Sequence, residues 1–128
     1  MLDYDAYYKA VNGQVNDLFY YYREQAALKA RQYQRALDDI VKAVELSPKD
    51  LTYRAEHAVV NLRVGRYEES MKILNEILKD EPKYGEAYRL LGLCQIQLKK
   101  TDEACGNFNK AKELGDPNVD ELIKKYCK

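Results

Sequence analysis

The sequence predicts an all-α fold made of repeated pairs of amphipathic helices, and two observations lead to this prediction. In the stretch 85–115, apolar residues recur at helical spacing on both sides of a short polar turn, which is typical of a helix–turn–helix hairpin. The same pattern returns at a fixed interval through most of the 128-residue chain. One such hairpin cannot bury its apolar face alone, so a repeated hairpin predicts a stack with a shared core.

The third hairpin, at 85–115, shows the pattern most clearly. The inward face of its first helix carries Tyr88, Leu91, Gly92, Cys94 and Leu98. The inward face of its second helix carries Ala104, Phe108 and Ala111, at helical spacing. Two small residues beside one aromatic ring let a neighbouring helix pack around that ring. Phe108 is therefore predicted to lie at the centre of this core.

Equivalent residues recur 34 positions apart. The corresponding inward faces of the two earlier second helices carry Ser70, Leu74 and Ile77, and Ala36, Ile40 and Ala43. A period of about 34 residues with two helices per unit is typical of the tetratricopeptide repeat. The chain resembles that family's pattern of aromatic, Leu, Gly, Ala, aromatic and Ala at Tyr88, Leu91, Gly92, Ala104, Phe108 and Ala111.

The resemblance implies an all-α, right-handed superhelical stack of helix–turn–helix units. The expected repeats are 17–50, 51–84 and 85–118, followed by a capping helix at 119–128. Residues 1–16 are too short for a full repeat, and Gly13 ends their helical pattern. They are either an N-terminal capping helix or the remnant of a preceding repeat, and their tyrosines slightly favour the remnant.

The first helix of repeat one departs from the family pattern. Arg23 and Glu24 stand where Leu and Gly are usual, which puts its tight packing in question. Four adjacent aromatic residues, at 19–22, cannot share one face of a helix. Tyr20 fits the core position. Tyr21 and Tyr22 are expected to point to the inner curved face or to pack against the N-terminal segment.

In repeat two, Tyr53 lies one residue before the family's aromatic position, which predicts a slightly rotated first helix. The expected buried seam is Tyr53, His57, Val60 and Val64. His57 is the only histidine, and no Cys, Asp or Glu stands around it at ligand spacing. We therefore expect a packed histidine and no metal site.

The final helix carries Val119, Leu122, Ile123 and Tyr126 on one stripe, with charged residues opposite. This stripe suits a cap over the edge of repeat three. The ending, 104–127, resembles the C-terminal repeat and cap of bacterial tetratricopeptide proteins. That resemblance allows a disulfide between Cys105 and Cys127, although two unlinked thiols are the favoured alternative. A disulfide would require an oxidising compartment such as the periplasm, and otherwise the cytoplasm is expected.

Composition and motifs exclude several classes of function. Lys+Arg and Asp+Glu are both 21, which argues against a nucleic-acid partner. No apolar run approaches the ~20 residues that span a bilayer, so no membrane insertion is expected. The sequence contains no phosphate-binding loop and no histidine placed to activate a nucleophile. We expect neither an enzyme nor a cofactor.

The leading interpretation is a protein-interaction scaffold that holds a peptide or a partner helix. The resemblance implies that the first helices line a concave groove. The alternative is a structural spacer of a longer array that mediates self-association. The residues turned away from each repeat's own second helix predict the groove: Tyr21, Tyr22, Gln25, Lys29, Ala55, Val59, Arg63, Arg89, Leu90, Leu93 and Gln97. Val59, Leu90 and Leu93 form its expected apolar floor.

Some family members bind the acidic C-termini of chaperones through Lys, Asn and Arg side chains on their first helices. The matching positions here are Tyr21, Gln25, Glu56, Glu86 and Leu90. None supplies the cation or the Asn, and two are acidic. We therefore expect that a chaperone tail does not bind at this groove.

Overall fold

A computed structural model describes residues 15–127, and within this range the chain forms helices and no strand. The helices are α1 (Asp17–Lys29), α2 (Tyr33–Leu46), α3 (Leu51–Arg63), α4 (Tyr67–Asp80), α5 (Gly85–Gln97), α6 (Thr101–Glu113) and α7 (Asp120–Tyr126). The prediction of an all-α chain of helix–turn–helix units is confirmed. The N-terminal prediction falls almost entirely on residues outside the described range.

The chain divides into two compact units, Met1–Val64 and Gly65–Lys128. The described part of the first unit contains α1, α2 and α3, and the second unit contains α4 to α7. The division falls inside the predicted second repeat, between its two helices, and does not coincide with a repeat boundary.

The turn after each first helix carries a left-handed residue at the period of the repeat. These residues are Arg31, Gly65 and Lys99, with φ angles of 59°, 87° and 62°. After Arg31 the N–H of Gln32 donates to the carbonyl of Ala27 at 2.8 Å, and after Lys99 the N–H of Lys100 donates to Gln95 at the same distance. This pattern satisfies carbonyls at the end of the helix and turns the chain into the next one. Residues other than Gly adopt this conformation at an energetic cost, so the geometry of the turn imposes this cost on Arg31 and Lys99.

The core of the first unit lies between α1, α2 and α3. Its buried residues are Ala27, Ala36, Leu37, Ile40, Ala43, Tyr53 and Val60. Tyr20 and Tyr21 are both only partly buried at the edge of this cluster. The most buried of the four adjacent aromatic residues is Phe19, at 7% exposure. Tyr20 thus packs against the core, as expected from its position, but the sequence analysis missed the deeper burial of Phe19.

Asp17 connects the three helices of this unit. Its Oδ2 accepts hydrogen bonds from the Ser47 hydroxyl at 2.8 Å and from the Tyr53 hydroxyl at 3.2 Å. The Ser47 hydrogen bond holds the pKa of Asp17 below its usual value, whereas burial raises the pKa of Tyr53. The start of α1 is thus fastened to the end of α2 and to the first turn of α3.

The core of the second unit is centred on Phe108, which is completely buried. Ala104, Ala111 and Val119 surround it, as the spacing predicts. A Cβ at Gly92 would lie only 2.6 Å from Cδ1 of the Phe108 ring. Glycine at this position therefore allows α5 and α6 to approach each other.

The apolar side of α7 covers this core. Leu122, Ile123 and Tyr126 pack against the Phe108 cluster. Cys105 and Cys127 are joined as a disulfide, with Cα atoms 5.6 Å apart, so the unlinked alternative favoured by the sequence is wrong for this structure. The bond connects α6 with the end of α7. No helix in the described range is both long and apolar enough to cross a membrane.

Candidate protein-binding surface

In the first unit, the candidate surface consists of residues on α1 and α3. Tyr22, Lys29 and Arg63 are exposed, and Tyr21 and Gln25 are half-buried. Because Tyr22, Gln25 and Lys29 are spaced by three and four residues, they share one face of α1. These are the predicted positions that offer polar and aromatic surface to a partner. Val59 is also half-buried on α3.

A cavity of about 240 Å³ opens between these two helices. Its lining consists of Gln25, Leu28, Lys29, Glu56 and Arg63. The cavity thus brings together three predicted residues from two helices. It also adds Leu28, which the sequence analysis missed. Leu28 lies three residues after Gln25, so helical spacing alone would have placed it on the same face.

Two cations, Lys29 and Arg63, line the cavity together with the acidic Glu56. Within residues 15–127, Lys29 and Arg63 form no salt bridge with an acidic residue. An exposed cation next to an apolar side chain such as Leu28 can accept an acidic group and still bury area. The cavity therefore suits a partner segment that combines an apolar and an acidic side chain.

Tyr21 is held in place from both sides. Its ring centroid lies 5.2 Å from that of Tyr53 on α3 and 5.9 Å from that of Tyr22 on its own helix. Burial raises the pKa of Tyr21, and the carboxylates of Glu56 and Glu24 raise it further. The ring is consequently a fixed, uncharged feature at the junction of α1 and α3.

In the second unit, the candidate surface is smaller than predicted. Leu93 is half-buried at the edge of the Phe108 cluster, and Gln97 is exposed. Arg89 was predicted to line the groove, but its Nε donates to Asp116 at 3.0 Å, and its Nη2 lies 3.8 Å from Glu86. The Asp116 side chain is only 3% exposed, so this pair belongs to the fold.

Two predicted groove residues are buried. Ala55 is 3% exposed and Leu90 is 4% exposed, so neither offers its side chain to a partner. The prediction counted only the second helix of the same repeat. In the structure α3 also packs on α2, and α5 also packs on α4. α3 and α5 are therefore each covered on a second side. Of the predicted floor residues, Val59 stays partly accessible in the first unit and Leu93 in the second.

Arg23 and Glu24 take roles that the family pattern did not suggest. Arg23 donates to both oxygens of the buried Asp39, at 2.7 and 3.0 Å, and its guanidinium also lies 5.1 Å from the ring centroid of Phe19. Glu24 is completely buried beside this pair. The question that these two residues raised about the packing of this helix is answered by the Arg23–Asp39 ion pair, which takes the place of the usual apolar contact.

The described residues give no sign of a metal or catalytic centre. In the part of the chain that the structure covers, no group of three His, Cys, Asp or Glu residues lies close enough to hold a metal ion. His57 is half-buried, and its carbonyl accepts a hydrogen bond from the Asn61 side chain at 3.0 Å.

Comparison with known proteins assigns the family. Residues 27–93 match the tetratricopeptide repeat. The chain belongs to the tetratricopeptide repeat family. This family and its fold are in general non-enzymatic interaction modules.

Two curated relatives illustrate the similarity. The chain is 31% identical over 101 residues to heat shock protein STI1 of Saccharomyces cerevisiae, covering 76% of this chain and 17% of that protein. It is 29% identical over 99 residues to small glutamine-rich tetratricopeptide repeat-containing protein 2 of Mycosarcoma maydis, covering 77% of this chain and 28% of that protein. The chain thus spans less than a third of either relative. Both organisms are eukaryotes, so the predicted resemblance to bacterial members is not confirmed.

A solved structure agrees in fold. The first tetratricopeptide domain of Spaghetti (RPAP3), bound to the HSP90 peptide SRMEEVD, superposes with a TM-score of 0.75 at 19% identity. The match covers 87% of this chain and 90% of that one. At this identity the likeness shows the fold alone.

Proposed function

We propose that the chain is a protein-interaction scaffold whose first helices contact a peptide or a helix of a partner protein. The observation that carries the proposal is the cavity between α1 and α3, where Lys29 and Arg63 stand beside Leu28. Its volume of about 240 Å³ is enough for one or two side chains and too small for most small-molecule ligands. The proposed partner offers an extended or helical segment with an apolar anchor and an acidic flank.

The aromatic residues beside the cavity support a protein partner. Tyr22 is 36% exposed, and Tyr21 is fixed against Tyr53. Tyrosine contributes a large contact area, retains a hydrogen-bonding hydroxyl and is enriched among residues that dominate binding energy. In the second unit, Leu93 and Gln97 are the proposed contact residues, because they are the predicted positions whose side chains remain accessible.

The relatives also support this proposal. STI1 is similar in sequence and the Spaghetti domain is similar in fold, and the latter was solved with a bound peptide. The positions at which other family members hold a chaperone carboxylate carry Glu56 and Glu86 here, so we propose a different peptide class for this chain.

Photo-crosslinking tests the location of the contact. Random peptides displayed on phage are selected on the whole chain, and the best binder is then mixed with variants that carry a photoreactive amino acid. We expect crosslinks from position 22 or 63 and none from position 72. Lys72 lies on α4 and lines a different surface depression of about 500 Å³ with Met71 and Asn75. Crosslinks from position 72 alone would overturn the proposed location, and self-crosslinking without peptide would favour the spacer alternative.

A further inference from the structure

Glu24 occupies a position that the fold usually gives to a residue without a side chain. It stands 68 residues before Gly92, at the equivalent place in repeat one. Gly92 is needed because the ring of Phe108 lies against it, whereas the residue equivalent to Phe108 in repeat one is the smaller Ile40. The smaller partner leaves room for a side chain at this position, and the Glu24 side chain has no exposed surface.

The surroundings of Glu24 do not suit an ionised carboxylate. Among residues 15–127, neither of its oxygens meets a hydrogen-bond donor. The nearby cation, Arg23, is committed to Asp39 on α2 through two hydrogen bonds. The other titratable neighbours are Tyr21 on the same helix and Glu56 on α3. A buried carboxylate without a donor, surrounded by other acids, is strongly disfavoured.

A proton on Glu24 removes this conflict. Burial, followed by repulsion from Glu56 and Asp39, raises the pKa of Glu24 to about 9. The neutral side chain gains an O–H group, and the Glu56 carboxylate is the neighbouring acceptor. Two interacting carboxyl groups titrate as a pair, so a single proton bound to the pair is shared by both groups.

We propose that Glu24 and Glu56 share a proton that holds α1 against α3, and that loss of this proton opens the contact between these two helices, the α1–α3 seam. Glu56 also lines the cavity with Lys29 and Arg63. When the two helices separate, the Glu56 carboxylate stands beside these cations without the shared proton and competes with an acidic partner for them. The scaffold therefore has a proton-operated control on its first unit. This control goes beyond the proposed function, because the opening of the seam needs no partner.

The direction of the pH dependence follows from linkage. The folded state binds the Glu24 proton more tightly than the unfolded state, in which Glu24 has its ordinary pKa of 4.5. The proton on Glu24 stabilises the fold fully at a pH below the pKa of the unfolded state. This stabilisation is lost as the pH rises through the pKa of the folded state, about 9. Between these limits the unfolded chain binds fewer protons, so the stability of the fold declines as the pH rises.

Carbon-13 NMR of the Glu side-chain carboxyls tests the shared proton directly on the wild-type chain. We expect one Glu resonance to titrate with a midpoint near 9, to be absent from Glu24→Gln, and to move to lower pH in Glu56→Gln. A Glu24 resonance that titrates in the ordinary range of Glu would overturn the proposal. So would a midpoint that Glu56→Gln does not change, because the proton would then belong to burial alone.

Thermal unfolding between pH 6 and pH 9 tests the consequence. Gln at 24 can donate to Glu56 but cannot lose a proton, so the melting temperature of Glu24→Gln should fall less with pH than that of the wild type. Glu76→Gln makes the same chemical change at an exposed site on α4 and should follow the wild type. Equal slopes for all three chains would overturn the proposal. If Glu24→Gln does not fold, the wild-type NMR titration still decides, and neither measurement involves a peptide.

Discussion

Gly92 and Phe108 are in direct contact, and the absence of a side chain at 92 is what allows the ring to be buried. Both residues were predicted to face the core of the third repeat, and the ring is completely buried in the structure. Since the ring atoms occupy the place of a Cβ, the close packing of α5 on α6 depends on this pair.

Substitution of Gly92 tests that dependence. A methyl group at 92 would overlap with the Phe108 ring, so Gly92→Ala should destabilise the chain by about 1–3 kcal/mol. Gly106 lies on α6, and a methyl group there would have no neighbouring atom within 4 Å, so Gly106→Ala should stabilise the helix by up to about 1 kcal/mol. Urea unfolding measures both variants. Equal effects of the two substitutions would show that the Phe108 contact is not tight.

Lys99 offers a test of the repeated turn. Its left-handed backbone costs a side-chain-bearing residue about 1 kcal/mol relative to Gly. Lys99→Gly should therefore raise the stability by about 0.5–1 kcal/mol, in spite of the greater freedom that Gly gives the unfolded chain. Lys100 has a negative φ of −107°, so Lys100→Gly should give no gain. A stabilisation by Lys100→Gly and not by Lys99→Gly, measured in urea, would contradict the turn geometry.

The disulfide predicts the number of reactive thiols. Cys94 is the free cysteine and is buried, so the unfolded, unreduced chain should react with one equivalent of a thiol reagent. Three equivalents would exclude the Cys105–Cys127 bond. Because the bond closes a loop of 22 residues, its removal in Cys105→Ser should cost about 2–4 kcal/mol. A reductant should destabilise the wild type to a similar degree and leave Cys105→Ser unaffected.

The acidic residues on α3 and α5 predict that a chaperone tail is rejected. The peptide SRMEEVD, which the Spaghetti domain holds, should not bind the wild-type chain at micromolar concentrations. The clamp positions offer neither a cation nor an Asn to the C-terminal carboxylate of this peptide, and the carboxylates of Glu56 and Glu86 repel that group. Fluorescence anisotropy with labelled peptide measures the affinity. Micromolar binding that Arg63→Glu abolishes would contradict this prediction.

The sequence was sufficient to predict the helices, because the same helix–turn–helix pattern recurs three times at a period of 34 residues. The three equivalent residues, Ile40, Leu74 and Phe108, are all completely buried, although only Phe108 carries the aromatic ring that the family has at this position. The left-handed turn residues follow the same period, but Arg31 and Lys99 carry no glycine signal and had to be seen in the structure.

The candidate surface was harder to predict, because it depends on what covers each helix from its second side. A helical pattern shows which residues are apolar, whereas the burial of Ala55 and Leu90 depends on the helix of the preceding repeat. Arg89 was misplaced for a related reason. Its partner Asp116 is 27 residues away, and the sequence does not show that the two meet.

Glu24 marks the limit of the family comparison. The pattern identified it as a departure from Gly, but a departure can mean a loose helix, an exposed charge or a buried acid. The structure distinguishes these outcomes because the Glu24 side chain is fully covered while Arg23 is already paired with Asp39.

Binding at the first-helix surface is the central claim, and a charge-reversal comparison of peptide affinity tests it most directly. Arg63→Glu and Lys72→Glu each replace an exposed cation by a carboxylate. Arg63 lines the α1–α3 cavity, whereas Lys72 lies on α4. Calorimetric titration with the selected peptide should give an affinity about tenfold or more lower for Arg63→Glu and nearly unchanged for Lys72→Glu, with identical helical spectra. An unchanged affinity for Arg63→Glu together with a loss for Lys72→Glu would contradict the account and move the site to α4.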